Sequence, residues 1–133
     1  ALRKYGITAP IDVHLMVARP QDILEQWYRT KADRFIIHVE SSADFREVAR
    51  DIRGHGRQVG LTLNPETPSE QAEPLLDFAH LVQFMTVHPG FQGGQFIHDA
   101  VPKIEQFYRR HGHMRIAADG GITPETGKLV SQA

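Results

Sequence analysis

Residues 114–124 read Met114-Arg115-Ile116-Ala117-Ala118-Asp119-Gly120-Gly121-Ile122-Thr123-Pro124, and this stretch decides the fold. A strand-like run covers 114–118, an acidic residue and two glycines make the turn, and Thr123-Pro124 opens a helix with proline in its first turn. A strand that turns at once into a helix is one βα unit, and four more precede it. Strand-like runs lie at 11–17, 34–39, 58–63 and 81–87, rich in apolar or β-branched residues. Helical spacing fills the intervals. Ile23, Leu24, Trp27 and Tyr28 share one face, Phe45, Val48, Ala49 and Ile52 another, and Val101, Ile104, Phe107 and Tyr108 a third. Pro20 opens the first helix, Thr67-Pro68-Ser69-Glu70 reads as a capping box for a helix after the third strand, and His111-Gly112 stops the helix ending near Arg110.

Five βα units in succession predict a parallel sheet with helices outside it, either an open doubly wound sheet or part of a closed (β/α) barrel. A whole barrel takes about 250 residues and eight units, so on the barrel reading these 133 residues are a piece of one. No linker, repeat or low-complexity tract interrupts them. The balance of 15 basic against 16 acidic residues argues against a nucleic-acid partner. The absence of cysteine removes disulfides, thiolate nucleophiles and cysteine-ligated zinc. No apolar run is long enough to span a membrane and no basic-then-apolar leader opens the sequence, so a soluble cytoplasmic protein is expected.

Ligands of parallel βα folds collect at the carboxyl ends of the strands. At the first strand end, alternation puts Asp12, His14 and Met16 on one face, where a buried strand is ordinarily apolar. A lone histidine there reads as a hydrogen-bonded core residue. With Asp12 beside it and Asp119 at another strand end, a chemical role is the stronger reading. Asp119 sits where it can reach a reacting carbon or a metal, and Gly120-Gly121 let backbone N–H groups approach an anion ahead of a helix N-terminus. The segment His88-Pro89-Gly90-Phe91-Gln92-Gly93-Gly94-Gln95-Phe96 is a second glycine-rich strand end and a second candidate phosphate cradle. His38 and Glu40 share a face, and either line the same pocket or bond each other. His55, His80, His98, His111 and His113 read as solvated positions.

Together these segments resemble the ribulose-phosphate 3-epimerase family, in the family's order and across nearly the whole chain. The segments are Asp12-Val13-His14-Leu15-Met16-Val17, the His38 strand end, Gly60-Leu61-Thr62-Leu63-Asn64-Pro65 with Thr67-Pro68, Met85-Thr86-Val87 with Pro89-Gly90-Phe91, and Asp119-Gly120-Gly121-Ile122. The resemblance implies an α/β fold, a (β/α)8 TIM barrel of the ribulose-phosphate-binding type, of which residues 1–133 form one partial domain holding strands three to seven. It implies an isomerase of the pentose phosphate pathway that interconverts D-ribulose 5-phosphate and D-xylulose 5-phosphate. One carboxylate removes the C3 proton, an enediolate forms, a second acid returns a proton on the opposite face, and one divalent metal ion (Zn, Fe, Mn or Co) stabilises the charge.

By position in the family's motifs, His14 is implied as a metal ligand and Asp119 as both metal ligand and acid/base. Met16 and Met85 are implied as a soft wall beside the enediolate. Gly90, Phe91, Gln92, Gly93, Gly120 and Gly121 are implied around the phosphate. The partner is then a ketose phosphate, with no nucleic acid and no membrane, and homo-oligomerisation is left open. The sequence departs from the family at several points. The Met-Asp-Gly motif, its companion histidine and an initial serine do not precede Asp12, and the eighth strand with its phosphate loop is missing. His88 stands where the family has Glu, Asp or Asn, and the loop reads Gln92-Gly93-Gly94-Gln95 where Gly-Gly-Gln is more typical from position 92. With half of the ligands and the opposite-face acid missing, the segment alone is expected to be inactive. The sister allulose-6-phosphate 3-epimerases, a non-catalytic phosphate-sugar-binding module and a remnant with no site are the alternatives.

Overall fold

All five expected strands form and lie side by side in chain order, each parallel to the next. They are β1 (Asp12–Leu15), β2 (Arg34–His38), β3 (Gln58–Leu63), β4 (Leu81–Met85) and β5 (Ile116–Asp119). The α-helices between and after them are α1 (Leu24–Tyr28), α2 (Phe45–Gly54), α3 (Ala100–Arg110) and α4 (Pro124–Gln132). The computed structural model describes residues 2–90 and 93–133. Strand order without reversal is the order of a barrel wall; a doubly wound sheet changes direction at a switch point.

Period-two alternation divides the strand side chains between two faces. Phe35, Ile37, Leu61, Leu63, Val82 and Phe84 point outward and bury themselves against Leu24, the Phe45–Val48–Ala49–Ile52 stripe of α2, and Ile104 and Phe107 of α3. The other face carries His14, Ile36, His38, Gly60, Thr62, Gln83, Met85 and Asp119. Gly60 lies in register between Ile36 and Leu81, and a Cβ there would sit 2.8 Å from Ile36 Cγ1. Bulky residues outside and small or polar ones inside favour a sheet bent toward the polar face. A flat sheet would hold β1 and β5 about 19 Å apart, at about 4.8 Å per strand, yet His14 of β1 and Asp119 of β5 touch at 3.1 Å. The five strands are a half-barrel.

Several expectations need correction. The strands are shorter than the apolar runs, chiefly at residues 16–17 and 86–87, where the chain turns away into loops. Pro20 opens a 3₁₀ turn, Pro20–Asp22, and α1 begins only at Leu24. No α-helix follows β3. Two 3₁₀ segments, Ser69–Gln71 and Glu73–Phe78, take its place without a side-chain cap. Pro74 has no N–H to continue a helix, and the Thr67 hydroxyl expected to cap one donates to Glu40 instead. On α3 the buried seam is Ala100, Ile104 and Phe107, with Tyr108 half exposed. Asp12 is not part of a strand-end site. It opens β1, at the opposite end of the sheet, and pairs with Arg34 at 3.0 Å; Arg34 in turn donates to Gln58 of the neighbouring β3. His80, read as solvated, uses Nδ1 to accept the Val59 N–H at 3.1 Å.

Phe107 is fully buried and meets Phe84 edge to face, 5.2 Å between ring centroids. Phe107→Ala is expected to cost about 3–5 kcal/mol in urea unfolding. Ile122→Ala, at an exposed position, should stay within about 0.5 kcal/mol.

Candidate functional site

At the carboxyl end of the half-barrel five polar side chains, Asp119, Gln83, His14, His38 and Glu40, lie in one row of close polar contacts across the bent face. Asp119 Oδ2 lies 3.1 Å from His14 Nδ1 and accepts from Gln83 Nε2 at 3.0 Å. His14 Nε2 lies 2.8 Å from His38 Nε2. His38 Nδ1 lies 3.1 Å from Glu40 Oε2. Glu40 Oε1 accepts the Asn64 N–H at 2.8 Å and the Thr67 hydroxyl. Lys103 Nζ, from α3, donates to Asn64 O at 2.9 Å and so holds the loop after β3 against this row.

Burial and environment set the charges. Burial lowers the His14 pKa, and His38 lowers it further, against the pull of Asp119. For Glu40, burial pushes the other way, but hydrogen bonds from His38, Thr67 and Asn64 outweigh it and hold the carboxyl down at about 2. Lys103 is lowered by burial, with Glu40, Glu66 and Glu70 opposing.

The expected site residues fall into three groups. His14, Asp119 and Met85 come together: Met85 is buried, stands in register with Asp119, and lies 3.9 Å through its sulfur from Gln83 Nε2. Met16 is half exposed and lines an open cleft of about 320 Å³ with His38, Glu40, Ser41, Asn64 and Gly90. Ser41 Oγ and Asn64 Oδ1 are buried there without a hydrogen-bond partner. Phe91 and Gln92 lie outside the described residues. His88, at the unusual position, turns to Glu66, 2.5 Å away, and both are exposed.

The two glycine-rich loops do meet. A Cβ at Gly120 (φ +114) would lie 2.2 Å from Val87 Cγ2, and one at Gly121 (φ +64) would lie 3.2 Å from the backbone of Phe96. The Thr86 hydroxyl donates to Gly120 O at 2.5 Å. Packing alone requires glycine at 120, while at 121 the left-handed φ and a tight approach to Phe96 both favour it. Gly90 (φ +111) and Gly93 (φ +77) have open space around them. The N-terminus of α4 next to Gly121 is capped by Thr123, whose hydroxyl accepts from the Thr126 N–H.

Gln83 escaped the sequence reading. Its signal was available: a lone amide inside the apolar strand Leu81-Val82-Gln83-Phe84-Met85, on the same face as Met85. The Asn64 and Thr67 contacts had no such signal, because they depend on where the loop after β3 lands.

An imidazole nitrogen and a carboxylate oxygen converging from opposite edges suit zinc and the neighbouring divalent transition metals. They supply two donors, and among the described residues no group of three or more metal-ligating side chains forms. The pair fits as half of such a site.

The sequence of the chain matches known proteins. The model of the family described as "Ribulose-phosphate 3 epimerase family" matches residues 1–133. The ribulose-phosphate 3-epimerase of Bacillus subtilis (strain 168) is 36% identical over 129 residues, covering 93% of this chain and 59% of that protein. That of Treponema pallidum (strain Nichols) is 38% identical over 122 residues, covering 88% and 56%. The cytoplasmic isoform of Oryza sativa subsp. japonica is 34% identical over 137 aligned positions, covering 100% and 60%. The chain spans less than two thirds of the length of these relatives.

Two outcomes follow from this geometry. A carboxylate held near 2 stabilises the fold fully above its ordinary value of 4.5 and loses that contribution as the pH falls toward 2. The stability difference between wild type and Glu40→Gln, measured by urea unfolding, should be largest near neutrality and shrink on acidification through that window. Gly120→Ala should destabilise by about 1–3 kcal/mol from backbone strain alone. Val87→Ala in that background should recover part of any further loss, measured as a double-mutant cycle.

Proposed function

The chain belongs to the ribulose-phosphate 3-epimerase family, and on that premise we propose that the polypeptide carrying it interconverts ribulose 5-phosphate and xylulose 5-phosphate. The observation that carries the reading is the meeting of His14 and Asp119 across the bent sheet, with Gln83 and Met85 beside them. In this reaction the C3 proton leaves as H⁺. Its electron pair moves toward the C2 carbonyl, and a proton delivered to the other face of C3 gives the epimer. Asp119 is the acid/base on one face; its exposure, 44% of the side chain, leaves it open to a ligand. Gln83 holds Asp119 Oδ2 in place by its amide N–H.

His14 and Asp119 would hold the divalent metal, whose chemistry when bound is Lewis-acid stabilisation of oxygens that gain charge. Met85 and Met16 offer a polarisable wall that neither gives nor takes protons. Gly90, Gly93, Gly120 and Gly121 would form the phosphate end, a reading supported by the contact between the two loops and the α4 N-terminus; Phe91 and Gln92 are assigned to it from the family motif alone. The unpartnered oxygens of Ser41 and Asn64 suit a ligand rich in hydroxyls. No described helix is long and apolar enough to cross a membrane, and a cytoplasmic site of action belongs to the same proposal. Inversion also needs an acid on the opposite face, which the family takes from its Met-Asp-Gly motif. The 133 residues contain no such motif and by themselves are expected not to epimerise.

The test is exchange of the C3 proton with D2O, followed by NMR on ribulose 5-phosphate and on allulose 6-phosphate. Exchange with the first and little with the second is expected of the whole polypeptide. The reverse preference would assign the allulose sister activity. Metal-independent binding with no exchange would make it a phosphate-sugar-binding module. Asp119→Asn should lower exchange by about 100- to 10,000-fold while the protein stays folded by circular dichroism.

A further inference from the structure

We propose that Glu40 and His38 are positioning residues that fix His14 with its proton on Nε2, so that its bare Nδ1 faces Asp119. The inference deepens the reading of His14 and Asp119 as metal-holding residues and rests on it for the metal.

Glu40 Oε1 already takes two donors, the Asn64 N–H at 2.8 Å and the Thr67 hydroxyl. A carboxylate used this way has only lone pairs to offer through Oε2. His38 Nδ1, 3.1 Å from it, must therefore carry the hydrogen. In its neutral form His38 carries one N–H, so with the hydrogen on Nδ1 its Nε2 keeps a lone pair. That lone pair points at His14 Nε2, 2.8 Å away. The ring planes differ by 16° with centroids 4.9 Å apart, the spacing of imidazoles meeting end to end, so an N–H on one lies in line with the lone pair of the other. His14 supplies that hydrogen from Nε2, and its Nδ1 is bare.

The contacts at Nδ1 agree with this assignment. Gln83 Nε2 approaches it at 3.3 Å, and an amide NH2 is a donor only. The amide cannot be turned round, because the same nitrogen lies 3.0 Å from Asp119 Oδ2. His14 Nδ1 and Asp119 Oδ2, 3.1 Å apart, are then two lone-pair atoms facing each other. The Gln83 NH2 that reaches both eases this repulsion in part, and a cation beside the pair would remove it. Running the protons the other way would give Asp119 a donor, but it would set the His38 lone pair against the Glu40 carboxylate. Lys103 and the Asn64 loop keep Glu40 in place, which makes the direction of the row a property of the fold.

Ring-nitrogen NMR decides the proposal directly. In long-range proton–nitrogen correlation spectra of the metal-free protein near neutral pH, His14 should appear as the Nε2–H tautomer and His38 as the Nδ1–H tautomer. Added Zn²⁺ should shift His14 Nδ1. In Glu40→Gln, the amide oxygen must take the Asn64 and Thr67 donors, which leaves its NH2 facing His38 Nδ1. Both tautomers should then reverse, and Zn²⁺ affinity, read by competition with a chromophoric chelator, should fall by about 10- to 100-fold. A packing role alone would not reverse tautomers. His14 found as Nδ1–H or as imidazolium in the wild type overturns the proposal, and so do unchanged tautomers in a folded Glu40→Gln. If that variant does not fold, the wild-type spectrum still decides. A wild type with these tautomers that binds no Zn²⁺ would leave the proton order standing and remove the metal reading.

Discussion

The bend of the sheet is the constraint on which the site depends. β1 and β5 are its outermost strands, and only curvature brings His14 and Asp119 from a separation of about 19 Å in a flat sheet to 3.1 Å. The bend has a local cause in side-chain volume. Phe35, Ile37, Leu61 and Phe84 crowd the outer face against α2 and α3, while Gly60 leaves room for Ile36 on the inner one. Placing the polar row on the crowded face would have buried it among the helices with no partners.

Curvature also explains why the row is polar throughout. Buried donors and acceptors are tolerated where they find partners, and from Glu40 to His14 each side chain of the row is the partner of the next. Glu40 is satisfied by the loop after β3, His38 by Glu40, and His14 by His38. The loop is in turn held by Lys103 over the Phe84 ring, 5.6 Å from its centroid. Positions on four strands and one helix are thus coupled through a few hydrogen bonds. A change at Glu40 or Lys103 reaches His14 without touching it.

The turn after β5 obeys a different constraint. Gly120 and Gly121 have positive φ and lie against Val87 and Phe96, and a side chain at Gly120 would push the two glycine-rich loops apart. Close approach of the loops and close approach of an anion make the same demand on the backbone. That double demand is why Asp-Gly-Gly was readable as a turn and as a cradle with equal ease.

The sequence by itself determined the strand–helix succession, the polar face of the first strand, and the candidacy of His14 and Asp119. These follow from local periodicity and from residue types that are out of place on a buried strand. It misread Asp12, because alternation assigns a face and says nothing about height along the barrel; Arg34 claims that carboxylate at the far end of the sheet. It misread the helix after β3, where Thr67 has a stronger acceptor in Glu40 than any helical N–H. Tertiary structure alone decided that residues 105 positions apart would touch, that His38 would link His14 to Glu40, and which way round their protons lie. Those outcomes depend on the curvature of the whole sheet and on where distant loops settle, and no local pattern of residues encodes either.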